Sequence, residues 1–95
     1  MPLTVLIGAG ARLGGVLYER SAVVVEGDHI LAAGGQADVP IPAGSEKVDL
    51  TGKFLVEVPE PGKPATLSVV VCNPEPEPEC RDKVLRRMKD GKWLD

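Results

Sequence analysis

The sequence predicts an all-β fold, a small β-sandwich or barrel-like domain of short strands, and two observations carry that reading. The apolar runs are β-branched, as in Val23-Val24-Val25 and Val69-Val70-Val71, which favours strands over helices because branched side chains fit a pleated surface. Turn-forming Gly, Pro, Asn and Asp also recur at short spacing between those runs, the pattern of a sandwich or barrel. The 95 residues, 43% hydrophobic and 26% charged, suit one domain over residues 1–95 with a single modest core. Tyr18, Phe54 and Trp93 are the only aromatic residues, so that core has to be built from Val, Leu, Ile and Ala.

In chain order, residues 3–7 are apolar and β-branched and stop at Gly8-Ala9-Gly10, giving a first strand. Residues 21–26 and 29–33 flank Gly27-Asp28, a hairpin whose glycine supplies the positive φ of a two-residue turn. Gly34-Gly35-Gln36 and Pro40-Ile41-Pro42-Ala43-Gly44 read as loop, since each proline removes a ladder donor. Residues 48–50 and 54–58 are short strands around Thr51-Gly52, and residues 59–64 break the chain again. Residues 65–72 form the longest strand candidate. Residues 73–79 alternate proline with glutamate and predict an exposed, stiff, extended connection. At the C-terminus Cys80, Val84, Leu85 and Met88 share a helical stripe that Gly91 would cap. Asp90-Gly91 is equally a hairpin turn between residues 84–89 and 92–94.

Charge and composition exclude several classes of function. A net charge of -3 gives no global attraction to nucleic acid or anionic membrane. Arg81, Lys83, Arg86, Arg87, Lys89 and Lys92 lie close together, but Trp93 is the one aromatic beside them, so a solvated face is expected rather than a nucleic-acid groove. No apolar stretch approaches the ~20 residues that cross a bilayer, and no leader pattern opens the chain; a cytoplasmic protein is expected. In that compartment Cys72 and Cys80 are expected to be two thiols rather than a bridge.

The candidate motifs carry little chemistry. Gly8-Ala9-Gly10-Ala11-Arg12-Leu13-Gly14 follows a strand as a dinucleotide fingerprint does, but its spacing is off by one and it leaves little room for the required helix. His29 is the single histidine and is expected to be exposed in its hairpin; a hydrolytic zinc site would lack its usual imidazoles. Nothing places His29 beside Cys72 or Cys80 to make a nucleophile. Glu75, Glu77 and Glu79 sit in a proline-rich loop unsuited to general acid-base geometry. No catalytic, cofactor-binding or metal-ligating residue is therefore assigned, and no cofactor is expected.

Three segments taken in order resemble the N-terminal run of amidohydrolase-superfamily enzymes. They are Leu3-Thr4-Val5-Leu6-Ile7-Gly8-Ala9-Gly10-Ala11-Arg12-Leu13, Ala22-Val23-Val24-Val25-Glu26-Gly27-Asp28-His29-Ile30-Leu31-Ala32-Ala33-Gly34 and Val48-Asp49-Leu50-Thr51-Gly52-Lys53-Phe54-Leu55-Val56. In those enzymes a Pro-Gly and an Asp-x-His-x-His motif follow at once and open the metal-binding barrel. Here Glu57-Val58-Pro59-Glu60-Pro61-Gly62 follows instead. Gly62-Lys63-Pro64-Ala65-Thr66-Leu67-Ser68-Val69-Val70-Val71, Asn73-Pro74 and residues 84–94 resemble the C-terminal strands that return to the same small β-domain.

The resemblance implies a composite β-sandwich, residues 1–56 supplying its first part and 62–95 its second, with the catalytic barrel absent and no catalytic residue to carry over. It also implies that residues 84–94 are a hairpin. Thr66 replaces the family's usual acidic residue, and Arg86-Arg87 stand where apolar strand residues are usual, so that strand is expected to be more exposed. The expected role is a non-catalytic structural or interaction domain, not an enzyme. Alternatives are an accessory domain docking on a separately encoded barrel, and a small-ligand-binding protein using the glycine-rich loop or the basic C-terminal strand. Loss of the barrel would leave residues 3–7 and 54–58 without charged guards, so a homodimer is expected.

Overall fold

Side-chain alternation along each apolar run sends one set of residues into a shared interior and the other set outward, and two sheets result. The computed structural model describes residues 3–94. Its strands are β1 (Leu3–Ile7), β2 (Gly10–Leu13), β3 (Val16–Tyr18), β4 (Ser21–Glu26), β5 (His29–Gly35), β6 (Glu46–Asp49), β7 (Phe54–Val56), β8 (Leu67–Val70), β9 (Val84–Lys89) and β10 (Lys92–Trp93). One 3-10 turn, Pro78–Asp82, lies between β8 and β9.

The four-stranded sheet runs β5-β4-β1-β6 and the six-stranded sheet β10-β9-β8-β7-β2-β3. Pairing is antiparallel except for β1 with β6 and β2 with β7, which are parallel. The expectation of an all-β sandwich-like domain is borne out. Leu6, Val23, Val25 and Ile30 from one sheet meet Ala11, Leu55, Leu67, Val69 and Met88 from the other in the main core. Each of these is at most 2% exposed, and this burial is the principal driving force for closing the two layers.

Both sheets also carry apolar residues on their outer faces, and a loop covers each. Val5, Ala22 and Val24 lie under Val39 and Ile41, which explains why β4 is buried from Ser21 to Val25 rather than alternating. Phe54, Val56 and Val70 cluster with Val84 on the outer face of the six-stranded sheet, beside the segment that carries buried Pro74 and Cys80.

The structure corrects several expectations. The glycine-rich segment Gly8 to Gly14 is not a loop: its residues 10–13 form β2, which pairs with β3 in a hairpin because Gly14 and Gly15 take φ of 58° and 83° and make the two-residue turn that glycine permits. The strand expected over residues 48–50 is β6, which begins at Glu46 and ends at Asp49, and β7 stops at Val56 because Glu57 adopts a left-handed φ of 59°. The longest strand candidate shrinks to Leu67–Val70. Residues 73–79, expected as an extended connection, are a turn over 73–77 that runs into the 3-10 segment at Pro78, closed by a Cys72–Cys80 disulfide where two thiols were expected. Spacing is the reason: the turn returns the chain so that the two Cα atoms stand 5.6 Å apart, within bridging range.

The C-terminal segment, whose residues left helix and hairpin open, is the β9–β10 hairpin that the resemblance and the Asp90-Gly91 turn signal together implied. Met88 reaches the core, and Arg86 is half-buried with its guanidinium 3.8 Å from the centroid of the Trp93 ring, an arrangement that lets a charge lie on an apolar face. Arg87 is exposed. The two strands expected to be unguarded are interior instead: β1 lies between β4 and β6, and β7 between β8 and β2.

Candidate functional site

Among the described residues four strand edges remain, and three are blunted. β6 carries exposed Glu46, Lys47 and Asp49. β10 begins with an exposed lysine, Lys92. Part of β5 is covered by backbone bonds from Ile30 N–H to Lys63 C=O (2.9 Å) and from Gly62 N–H to Ile30 C=O (2.7 Å). Charge and coverage of this kind are how sheets prevent unwanted pairing.

The fourth edge, β3, is different. Val16, Leu17 and Tyr18 carry no charge, no strand among the described residues pairs with their far side, and Val16 and Leu17 are 51% and 43% exposed. The hairpin that presents them also forms one wall of a cleft of about 210 Å³, where Leu13, Gly14 and Tyr18 face Val58, Pro59 and Pro61. This end of the sandwich therefore joins an open strand edge to the loop of residues 58–61. The Gly14-Gly15 pair flanked by apolar residues was a hairpin signal in the sequence, obscured by its likeness to a nucleotide-binding loop.

A second cluster lies on the outer face of the six-stranded sheet. Arg12 donates from Nε to Glu75 Oε2 (2.9 Å) and from Nη2 to Glu75 Oε1 (2.6 Å), and its Nη1 donates to the carbonyl of Gly15 (2.8 Å). These hydrogen bonds raise the Arg12 pKa above its ordinary value and hold the Glu75 carboxyl below its own. Glu75 N–H in turn donates to Asn73 Oδ1 (2.9 Å). Within the same segment, Cys72, Glu77 and Cys80 bring two sulfurs and a carboxylate oxygen within 4.8 Å of one another.

The remaining sequence candidates stay apart. His29 is half-exposed in its hairpin beside Glu26 and Asp28, at 3.7 and 3.4 Å, and belongs to no three-ligand group among the described residues. The first glycine-rich loop is followed by strand rather than helix, and it lines a shallow cleft with Lys53 and Phe54. A Cβ on Gly10 would press on the Phe54 ring, so that glycine serves packing. Asp49 Oδ1 accepts from the Thr51 hydroxyl (2.6 Å) and backbone N–H (3.0 Å), which lowers its pKa and closes the turn after β6. Among the described residues no buried side-chain nitrogen or oxygen lacks a hydrogen-bond partner, so the small-ligand reading gains no support from the interior. No helix among the described residues is long and apolar enough to cross a membrane. Compared with known protein families and with curated proteins, the chain matches none.

Proposed function

We propose that this chain is a stand-alone, non-catalytic β-domain of the amidohydrolase composite type, acting as a homodimeric interaction module. The observation that carries the reading is the β3 edge, where Val16 and Leu17 are exposed on the one edge that has neither charge nor cover among the described residues. The resemblance behind it gains support from the topology. The six-stranded sheet takes β7, β2 and β3 from the first part of the chain and β8, β9 and β10 from the second, with β7 and β8 side by side across the residues that replace the barrel.

A two-fold axis beside β3 would pair two copies antiparallel, satisfy the open backbone groups and bury both exposed side chains. Nucleic acid is not a partner on this reading, because no aromatic platform accompanies the basic strand beyond Trp93, which Arg86 already covers. A cytoplasmic location goes with the reading, although the Cys72–Cys80 disulfide weighs against it.

Light scattering coupled to size exclusion tests the proposal at micromolar concentration. Wild type is expected at twice the 10.0 kDa chain mass, and Leu17→Lys at the monomer mass with unchanged circular dichroism. A monomeric wild type, or a Leu17→Lys dimer, would overturn it. The second reading, docking on a separate catalytic barrel, draws on the cleft between residues 13–18 and 58–61. It predicts a monomeric wild type that co-purifies with a barrel protein from its native cell and loses it on the same substitution.

A further inference from the structure

Glu77 is exposed and its carboxylate makes no hydrogen bond or ion pair among the described residues, yet that carboxylate stands within 4.8 Å of both Cys72 Sγ and Cys80 Sγ. A disulfide has no use for a neighbouring carboxylate. The three groups are held together by more than the S–S bond, since Cys80 N–H donates to Glu77 C=O (2.9 Å) and Lys83 N–H to Cys80 C=O (3.0 Å). The Arg12–Glu75 pair and the Asn73 side chain fasten the front of the same segment.

We propose that the reduced form of this segment is a binding site for a thiophilic divalent cation of the zinc class, with Cys72 Sγ, Cys80 Sγ and the Glu77 carboxylate as ligands and water in the fourth position. Thiolate ligands select zinc-like ions over magnesium or calcium, and a carboxylate oxygen is an ordinary companion ligand. A Cα separation of 5.6 Å lets rotation about the Cα–Cβ bonds part the sulfurs to roughly 3.8 Å, the edge of a tetrahedron with Zn–S bonds near 2.3 Å. Cys80 is fully buried and Glu77 exposed, so the ion would sit at the surface of the outer face, joining the proline-rich segment to the sheet beneath it.

Oxidised and metal-bound states exclude each other. In the disulfide, neither sulfur is a thiolate. A dithiol reductant supplies two electrons and two protons, breaking the S–S bond to give two thiols while it becomes a disulfide itself. Binding of the cation then releases both thiol protons. The segment thus exchanges one cross-link for another according to the redox state, and this holds whether or not the chain dimerises through β3.

The test uses the full chain reduced with a phosphine, which takes oxygen from water to become the phosphine oxide and leaves two protein thiols. After removal of the phosphine under anaerobic conditions, cobalt(II) is titrated in and then displaced by zinc. The expected result is one equivalent of cobalt with a thiolate charge-transfer band, absent from the oxidised protein and lost on zinc addition. Glu77→Gln is expected to weaken binding at least about tenfold, the lower end of what even an outer-shell change costs, and Glu79→Gln to leave it unchanged. Both variants can be checked for folding in the oxidised state. No band in the reduced wild type would overturn the proposal. Equal binding by wild type and Glu77→Gln would overturn it too, because it would mean an unstructured dithiol binding metal without the third ligand.

Discussion

Arg12 and Glu75, 63 positions apart in the chain, face each other in a bidentate pair with bonds of 2.9 and 2.6 Å. The pair joins β2, from the first part of the chain, to the segment that precedes β9. Two parallel bonds fix orientation as well as contact, so the proline-rich segment is anchored at Glu75 and again at the disulfide.

This pair gives the fold a pH dependence with a defined sign. Glu75 and Asp49 both have carboxyl pKa values below their ordinary range, Glu75 through its bond to Arg12 and Asp49 through its bonds to Thr51. A carboxyl whose folded pKa is depressed stabilises the fold above its unfolded value and loses that contribution as pH falls through the folded value. Urea midpoints are expected to fall as pH drops from about 5 to about 3, across the usual carboxylate range. Glu75→Gln should flatten part of that slope. Because the pair is at the surface and screened by solvent, the change is modest, and a slope unchanged in Glu75→Gln would remove Glu75 from the account.

The disulfide closes a loop between positions eight apart, and the loop-entropy relation puts its effect at about 2–3 kcal/mol. Urea denaturation of Cys72→Ser/Cys80→Ser against oxidised wild type should show a loss of that size, with the sheet signal retained. Peptide mapping without reductant should recover the residue 72–80 cross-link directly.

Gly91 is the glycine least open to replacement. Its φ is 81°, its N–H donates to Ala65 C=O (3.0 Å), and a Cβ there would collide with the carbonyl oxygen of Gly27. Gly91→Ala adds a backbone clash to the left-handed penalty and is expected to cost more than about 3 kcal/mol, or to prevent folding. Gly15→Ala, with φ of 83° and nothing within 4 Å, carries only the conformational term of about 1 kcal/mol. Thermal melts of the two variants compare them; equal losses would mean that the two hairpins are not in contact at Gly91.

Leu55 is 1% exposed in the main core, whereas Leu85 is 45% exposed. Leu55→Ala is expected to cost about 2–5 kcal/mol through lost burial and the cavity left behind, and Leu85→Ala less than about 0.5 kcal/mol. Chemical denaturation of each variant at fixed protein concentration would check the ordering.

Local sequence determined the strands and turns that need no distant partner. Val23-Val24-Val25 ahead of Gly27-Asp28 set the β4–β5 hairpin, since a tight turn and branched side chains act within a few residues, whereas residues 84–94 carried both a helical stripe and a hairpin turn and became β9–β10 where β9 pairs with β8 and Met88 enters the core. The all-β class and the aliphatic core followed from the same local rules. Tertiary structure decided what depends on chains meeting at long separation. Parallel pairing of β1 with β6 and β2 with β7 has no local signal, because the partners are joined by dozens of residues rather than a turn. It is this pairing that buried β1 and β7 and left β3 as the open edge. The Cys72–Cys80 bridge and the Arg12–Glu75 bond likewise had no local signal: each depends on the turn at residues 73–77 bringing the segment back to the six-stranded sheet.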